Sequence, residues 1–174
     1  MIVVLENTEF DDAMQQPFLH QLAARGALLA NYHALSHPSL PNYLGLVAGQ
    51  TFGIIDDGAH DVDAHHLGDL LDAHHRSWKV YAEGYPARPF FGDYMGLYAR
   101  RHEPFASFAN MHGAHRASAH VVNAGQLDED LQANALPDYS LYIPNVNDDG
   151  HDTTLPFADH WLATAFAHRL QDPE

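Results

Sequence analysis

The chain has 174 residues, 46% of them apolar, which suffices for a domain with a real core and argues against disorder. It has no cysteine, which excludes disulfides, thiolate zinc sites and cysteine nucleophiles. With 8 Lys and Arg against 23 Asp and Glu, a net charge of −15, a nucleic-acid surface is excluded, and an anionic substrate needs a bound cation to supply local positive potential.

Residues 1–6 predict a short buried strand, followed by the polar stretch Asn7 to Asp12. A helix starts at Pro17, sets Phe18, Leu22 and Ala23 on one face and stops at Gly26. Ala27 to His33 predict a second strand. After Pro38, the residues Leu40, Tyr43, Leu44 and Val47 recur at helical spacing up to Gly49, so Ser39 sits at the mouth of a helix. Thr51 to Asp63, rich in Gly and Asp, reads as a loop. His65 to His75 predicts a helix with Leu67, Leu70 and Leu71 facing inward.

Ser77 to Ala82 predicts a third strand, and Pro86 to Pro104 an irregular, packed aromatic insertion. Gln126 to Ala135 reads as a helix and Ser140 to Ile143 as a fourth strand, followed by the polar run Asn145 to Thr153. Phe157, Trp161, Ala165 and Phe166 mark a final amphipathic helix. Alternating strands and helices predict a single α/β domain over residues 1–174, a sandwich with a largely parallel sheet. No apolar run approaches the ~18–20 residues of a membrane span. Met1 leads straight into Ile2-Val3-Val4-Leu5 without a signal peptide, so either this is a cytoplasmic form or an upstream segment has been lost.

In such a sheet, ligands bind beyond the carboxyl ends of the strands, where three polar clusters fall. Ser39 reads either as a simple N-cap or as a nucleophile, because a helix N-terminus binds phosphate and favours a developing alkoxide. Glu6-Asn7 reads either as a turn or as a pair of hard oxygen ligands for Mg²⁺, Ca²⁺ or Mn²⁺. The run Asn145 to Asp152 reads either as a solvated acidic loop or as the place where His151 protonates a leaving oxygen or holds a phosphoryl oxygen. Asp56-Asp57 lacks regularly spaced neighbours and is the weaker metal candidate. Most of the 15 histidines read as solvated or packed residues.

Several segments carry a family resemblance. Val3-Val4-Leu5-Glu6-Asn7 resembles V-x-L-E-N, and Ser36 to Leu44 resembles T/S-H-P-S-L-P-N-Y-L. Ser77 to Glu83 is similar to S-W-K-x-Y-A-E, and Tyr98 to Phe105 to Y-A-R-K-H-N-P-F. Pro144 to Asp152 resembles P-N-x-x-N-D-x-H-D, with Asp148 where Asn is common. These signatures, in this order, are those of the phosphoesterase family of acid phosphatases and bacterial phospholipases C, within the alkaline phosphatase superfamily. The resemblance implies an alkaline-phosphatase-like three-layer α/β sandwich. It makes Ser39 the nucleophile, Glu6, Asn7 and Ser39 ligands of a divalent metal (Mg, Ca, Mn or Zn), Asn42 a contact to the phosphoryl oxygen, and His151 a site residue. Glu83 and His37 lie in matching motifs without an assigned role.

The family continues past the last helix with a strand ending in a T-F/W-D-E-D-like motif whose carboxylates complete the metal site. Nothing here matches it, and the chain reaches Gln171-Asp172-Pro173-Glu174 where that strand is expected, so the sequence reads as C-terminally incomplete. The expected activity is metal-dependent hydrolysis of a small-molecule or lipid phosphate ester through a phosphoserine, a monoesterase before a phospholipase C or phosphodiesterase. A non-catalytic remnant is the alternative. Loops 51–63 and 84–118 are expected to choose the substrate. Oligomeric state and localisation stay open, although the resemblance suggests an exported protein.

Overall fold

Four helices follow the first strand, three strands come next, and helices and strands alternate only after that. A computed structural model describes residues 1–170. In order come β1 (Ile2–Val3), α1 (Phe10–Met14), α2 (Pro17–Arg25), α3 (Leu40–Ala48), α4 (Leu67–Ala73), β2 (Trp78–Ala82), β3 (Tyr94–Met95), β4 (Tyr98–Ala99), α5 (Ala114–His120), β5 (Val121–Asn123), α6 (Gln126–Gln132), β6 (Tyr139–Ile143) and α7 (Leu155–Phe166). Two compact units result, one from Met1–Val3 with Ala34–Asn145, the other from Val4–His33 with the chain from Val146 onward. No helix among the described residues is long and apolar enough to cross a membrane.

The first unit is built on a four-stranded sheet of order β1-β6-β2-β5, with every pairing parallel. The α/β class with a parallel sheet is therefore as expected. Val80 lies opposite both Leu141 and Val121 and is fully buried, as are Tyr81, Ala82 and Leu141. Burial on successive residues is what a parallel strand covered on both faces requires. Two strands differ from expectation. β1 pairs only through Ile2 and Val3, opposite Leu141 and Tyr142. The edge strand β5 was not expected, because three residues are too few to show a period of two.

Helix α4 turns a different face inward than its leucines suggested. Leu70 is 59% exposed, and the buried residue is Gly68. A Cβ on Gly68 would stand 2.5 Å from Trp78 Cζ2, so only glycine lets the helix approach this closely. His66 is buried beside it, edge-on to Trp78, Phe105 and Phe108, and burial lowers its pKa. It is a core histidine. The aromatic insertion carries the antiparallel pair β3–β4 and then short 3₁₀ turns whose Phe105 and Phe108 are fully buried.

The second unit holds α1, α2 and α7. Phe18 of α2 and Ala158, Leu162 and Phe166 of α7 are buried. Asp159 is buried too, and its carboxylate accepts the Phe18 and Leu19 N–H groups at 3.1 and 2.8 Å. A charge that costs free energy to bury is thus spent on the orphan donors of a helix start. The expected strand Ala27 to His33 does not form; the segment is irregular, with Leu29 71% and Tyr32 75% exposed. A strand needs a neighbouring edge, and the described residues of this unit contain none. Residues 171–174, where the strand implied by the resemblance would begin, lie outside the described residues.

Candidate functional site

Ser39 occupies the N-cap position of α3, whose first turn contains Pro41. Leu40, Tyr43, Leu44 and Val47 are all buried, so the spacing that defined the helix also fixes which way its N-terminus faces the sheet unit. The Ser39 side chain makes no capping bond, and its backbone is already helical (φ −65°, ψ −52°). The cap comes from elsewhere: Asp57 Oδ1 accepts the Leu40 N–H at 2.9 Å. Arg101 stands behind that carboxylate, Nε to Oδ2 3.7 Å. The sequence marked Asp57 only as half of an acidic pair. A cap delivered by a remote loop leaves no local spacing to read.

Asn42, one turn into α3, engages both ends of its amide with the segment that precedes Ser39. Its Oδ1 accepts the N–H groups of Leu35 and Ser36 at 2.8 and 3.1 Å. Its Nδ2 donates to the carbonyls of Ser36, Pro38 and Ser39 at 2.8, 3.0 and 3.3 Å. The next residue, Tyr43, stacks on the buried His102 ring, with centroids 5.2 Å apart and planes 15° from parallel. His102 entered the sequence reading only as a letter of a motif.

The second unit carries Glu6, Asn7 and His151. Glu6 N donates to Asp149 O at 2.8 Å, which ties the end of the first strand segment to the 145–152 loop. Asn7 is exposed with φ 52°, a left-handed conformation that asparagine tolerates. Gly150 has φ +93°, and a Cβ there would sit 3.3 Å from Ala158 Cβ and 3.5 Å from Glu6 O, so the loop closes only on glycine. Buried Asp149 accepts the His151 N–H at 2.7 Å. His151 Nδ1 meets Asp152 Oδ1 at 2.6 Å, which assigns the proton to Nδ1 when the ring is neutral. A Glu6 carboxylate oxygen and a His151 ring nitrogen lie within 4.8 Å of each other, close enough to share one ion. Hard oxygen and imidazole nitrogen together suit a borderline or hard divalent cation.

Ser39 and Asn42 are thus joined in one unit, and Glu6, Asn7 and His151 in the other. Glu83, left without a role by the sequence, accepts the Tyr142 hydroxyl and two N–H groups of Asn145, all at 2.9 Å. The aromatic insertion splits in its contribution. Tyr98 is 1% exposed and packs edge-on against Tyr85 and Phe90, whereas Tyr94 is exposed with the Arg101 guanidinium 5.0 Å above its ring. Five of the eight basic side chains lie against carboxylates: Arg76 on Asp138, Lys79 on Asp130, Arg100 on Asp61, Arg101 on Asp57 and Arg116 on Asp69.

The chain is 36% identical over 98% of its length to a probable acid phosphatase of Kluyveromyces lactis, of which it covers 43%. It is 32% identical over 98% of its length to an acid phosphatase of Aspergillus fumigatus, covering 40% of that protein. A phosphatidylinositol-3-phosphatase of Mycobacterium tuberculosis is 32% identical over 93% of the chain, which covers 54% of it. The chain therefore spans about two fifths to one half of the length of these relatives. The phosphoesterase family model matches residues 8–174, and with these relatives it establishes that the chain belongs to the phosphoesterase family.

Proposed function

We propose that this chain carries the nucleophile of a phosphoric ester hydrolase, with Ser39 as that nucleophile. The observation that carries the reading is the placement of Ser39 at the head of α3, with a segment held by Asn42 on one side and an Asp57-capped first turn on the other. The Ser39 hydroxyl gives its proton to solvent as its oxygen attacks phosphorus and the bond to the leaving oxygen breaks, giving a phosphoserine. His151 gives its proton to the leaving oxygen, and Asp152 against Nδ1 stabilises the charged ring that gives it. Water then attacks the phosphoserine, releasing inorganic phosphate and returning the serine.

Asn42 is proposed to contact a phosphoryl oxygen through Nδ2, and the 3.3 Å bond to Ser39 O is the one such an oxygen would displace. Glu6, Asn7 and Ser39 are proposed to hold a divalent metal. When bound, such an ion supplies positive charge that acidifies the serine hydroxyl and neutralises phosphoryl oxygens. In a chain of net charge −15 that charge has few other sources.

Acid phosphatases among the relatives favour a monoester substrate, and the phosphatidylinositol-3-phosphatase favours a monoester on a lipid headgroup over a phospholipase C diester. Incubation with an aryl phosphate and Mn²⁺, acid quench and peptide mass spectrometry test the mechanism. A phosphoryl group on the peptide containing Ser39 is expected. Turnover with the label on another residue, or turnover of Ser39→Ala, overturns it.

A further inference from the structure

We infer that Glu83 is a positioning residue for the loop that carries His151, acting through Asn145; the inference deepens, and rests on, the phosphoesterase reading above. Glu83 directly follows β2, and its N–H extends the ladder to Ile143 O at 2.9 Å. Its half-buried carboxylate then collects three donors, one from β6 itself and two from the chain leaving it. Oε1 takes the Tyr142 hydroxyl, and Oε2 takes both the backbone and the side-chain N–H of Asn145, each at 2.9 Å. Two donors of one residue on one oxygen fix both the peptide plane and the side chain of Asn145.

Asn145 is therefore the best-held residue between the end of the sheet and the run Val146 to Asp152. A loop that must present His151 reproducibly starts from this anchor. The carboxylate need not be charged for the geometry to persist. A glutamine oxygen can take the two Asn145 donors, while its NH₂ turns to the Tyr142 oxygen, which can accept. An alanine keeps none of the three bonds.

The test compares wild type, Glu83→Ala and Glu83→Gln in two independent measurements on the 174-residue chain. In ¹H–¹⁵N spectra, Glu83→Ala is expected to shift the Asn145 backbone and side-chain signals and to speed amide exchange through residues 146–152, and Glu83→Gln to restore both. In hydrolysis of p-nitrophenyl phosphate with Mn²⁺, kcat of Glu83→Ala is expected to fall ~10–100-fold with KM changed less than ~3-fold, and Glu83→Gln to recover to within ~3-fold of wild type. Unmoved signals for 146–152 in Glu83→Ala overturn the inference, and so does a glutamine variant as impaired as the alanine one, since charge rather than placement would then matter. Absence of hydrolysis by wild type would instead refute the phosphoesterase reading for this chain, and the spectra alone would then decide the role of Glu83.

Discussion

Asn42 and Ser36 are tied in both directions: the Ser36 N–H donates to Asn42 Oδ1 at 3.1 Å, and Asn42 Nδ2 donates back to the Ser36 carbonyl at 2.8 Å. Asn42→Asp keeps the acceptor but turns a carboxylate oxygen toward three carbonyls. Leaving such partners unmet costs ~1–3 kcal/mol, and that destabilisation is expected in urea unfolding. If Ser39 is the nucleophile as proposed, turnover is expected to fall ~100-fold, since the segment around it loses its register. An aspartate variant as stable and active as wild type would show that the amide donors are dispensable.

Ser39→Ala separates chemistry from capping. Because Asp57 and not Ser39 caps the first turn, the variant is expected to keep its helix cap and its fold while losing turnover and the phosphoenzyme. Retained hydrolysis would remove Ser39 from the mechanism.

Asp57→Ala has the opposite profile. It removes the bond to Leu40 N and leaves the Arg101 guanidinium without this carboxylate, so ~1–2 kcal/mol of stability should go. Thermal unfolding measures it, and an unchanged midpoint would mean that solvent caps α3 equally well.

Glu103 predicts a pH dependence. It is 1% exposed, and burial raises its pKa to about 7 although the Phe105 and Ala106 N–H groups and Arg100 pull it down. The folded state thus holds this proton more tightly than the unfolded chain does. The associated stability is full below the ordinary glutamate pKa of ~4.3 and is lost as pH rises through 7, by ~3 kcal/mol in all. Unfolding free energies between pH 4 and 8 should decline by this contribution in wild type, and the decline should shrink in Glu103→Gln. Parallel curves for the two proteins would contradict the buried, protonated carboxyl.

The proposed metal set contains one carboxylate, Glu6. With so little anionic charge, calorimetric titration of Mn²⁺ is expected to give a Kd of ~10⁻⁴–10⁻³ M, further weakened in Glu6→Gln. Submicromolar binding by the 174-residue chain would show a fuller ligand set than the one proposed.

Long periodic segments were legible in the sequence. α2, α3 and α7 stand where spacing put them, because each turns one face inward over several residues, and β2 and β6 where a short run covered on both faces put them. β5 was not, being too short for a pattern, and Ala27 to His33 has strand-like residues but no strand edge beside it in its unit. Of the proposed functional residues, Ser39, Glu6, Asn7 and His151 were legible from their places at a helix mouth or past a strand end and from motifs. The residues that hold the segments around them, Asp57, Asp149 and Glu83, act across 17, 143 and 62 positions of sequence, and no local pattern encodes such pairings. Leu70 was misassigned because the helix packs through glycine, which hydropathy does not register.

The pairing of most basic side chains with carboxylates has a kinetic corollary. An excess of 15 negative charges, with the cations largely neutralised in place, surrounds this chain with a potential that slows anionic phosphate esters on approach. Added salt shortens the range of that repulsion to ~8 Å at physiological ionic strength. Encounter with substrate should therefore quicken as salt is raised, the reverse of the behaviour of an enzyme that steers anions inward, and the effect should be larger for a doubly charged monoester than for a singly charged diester.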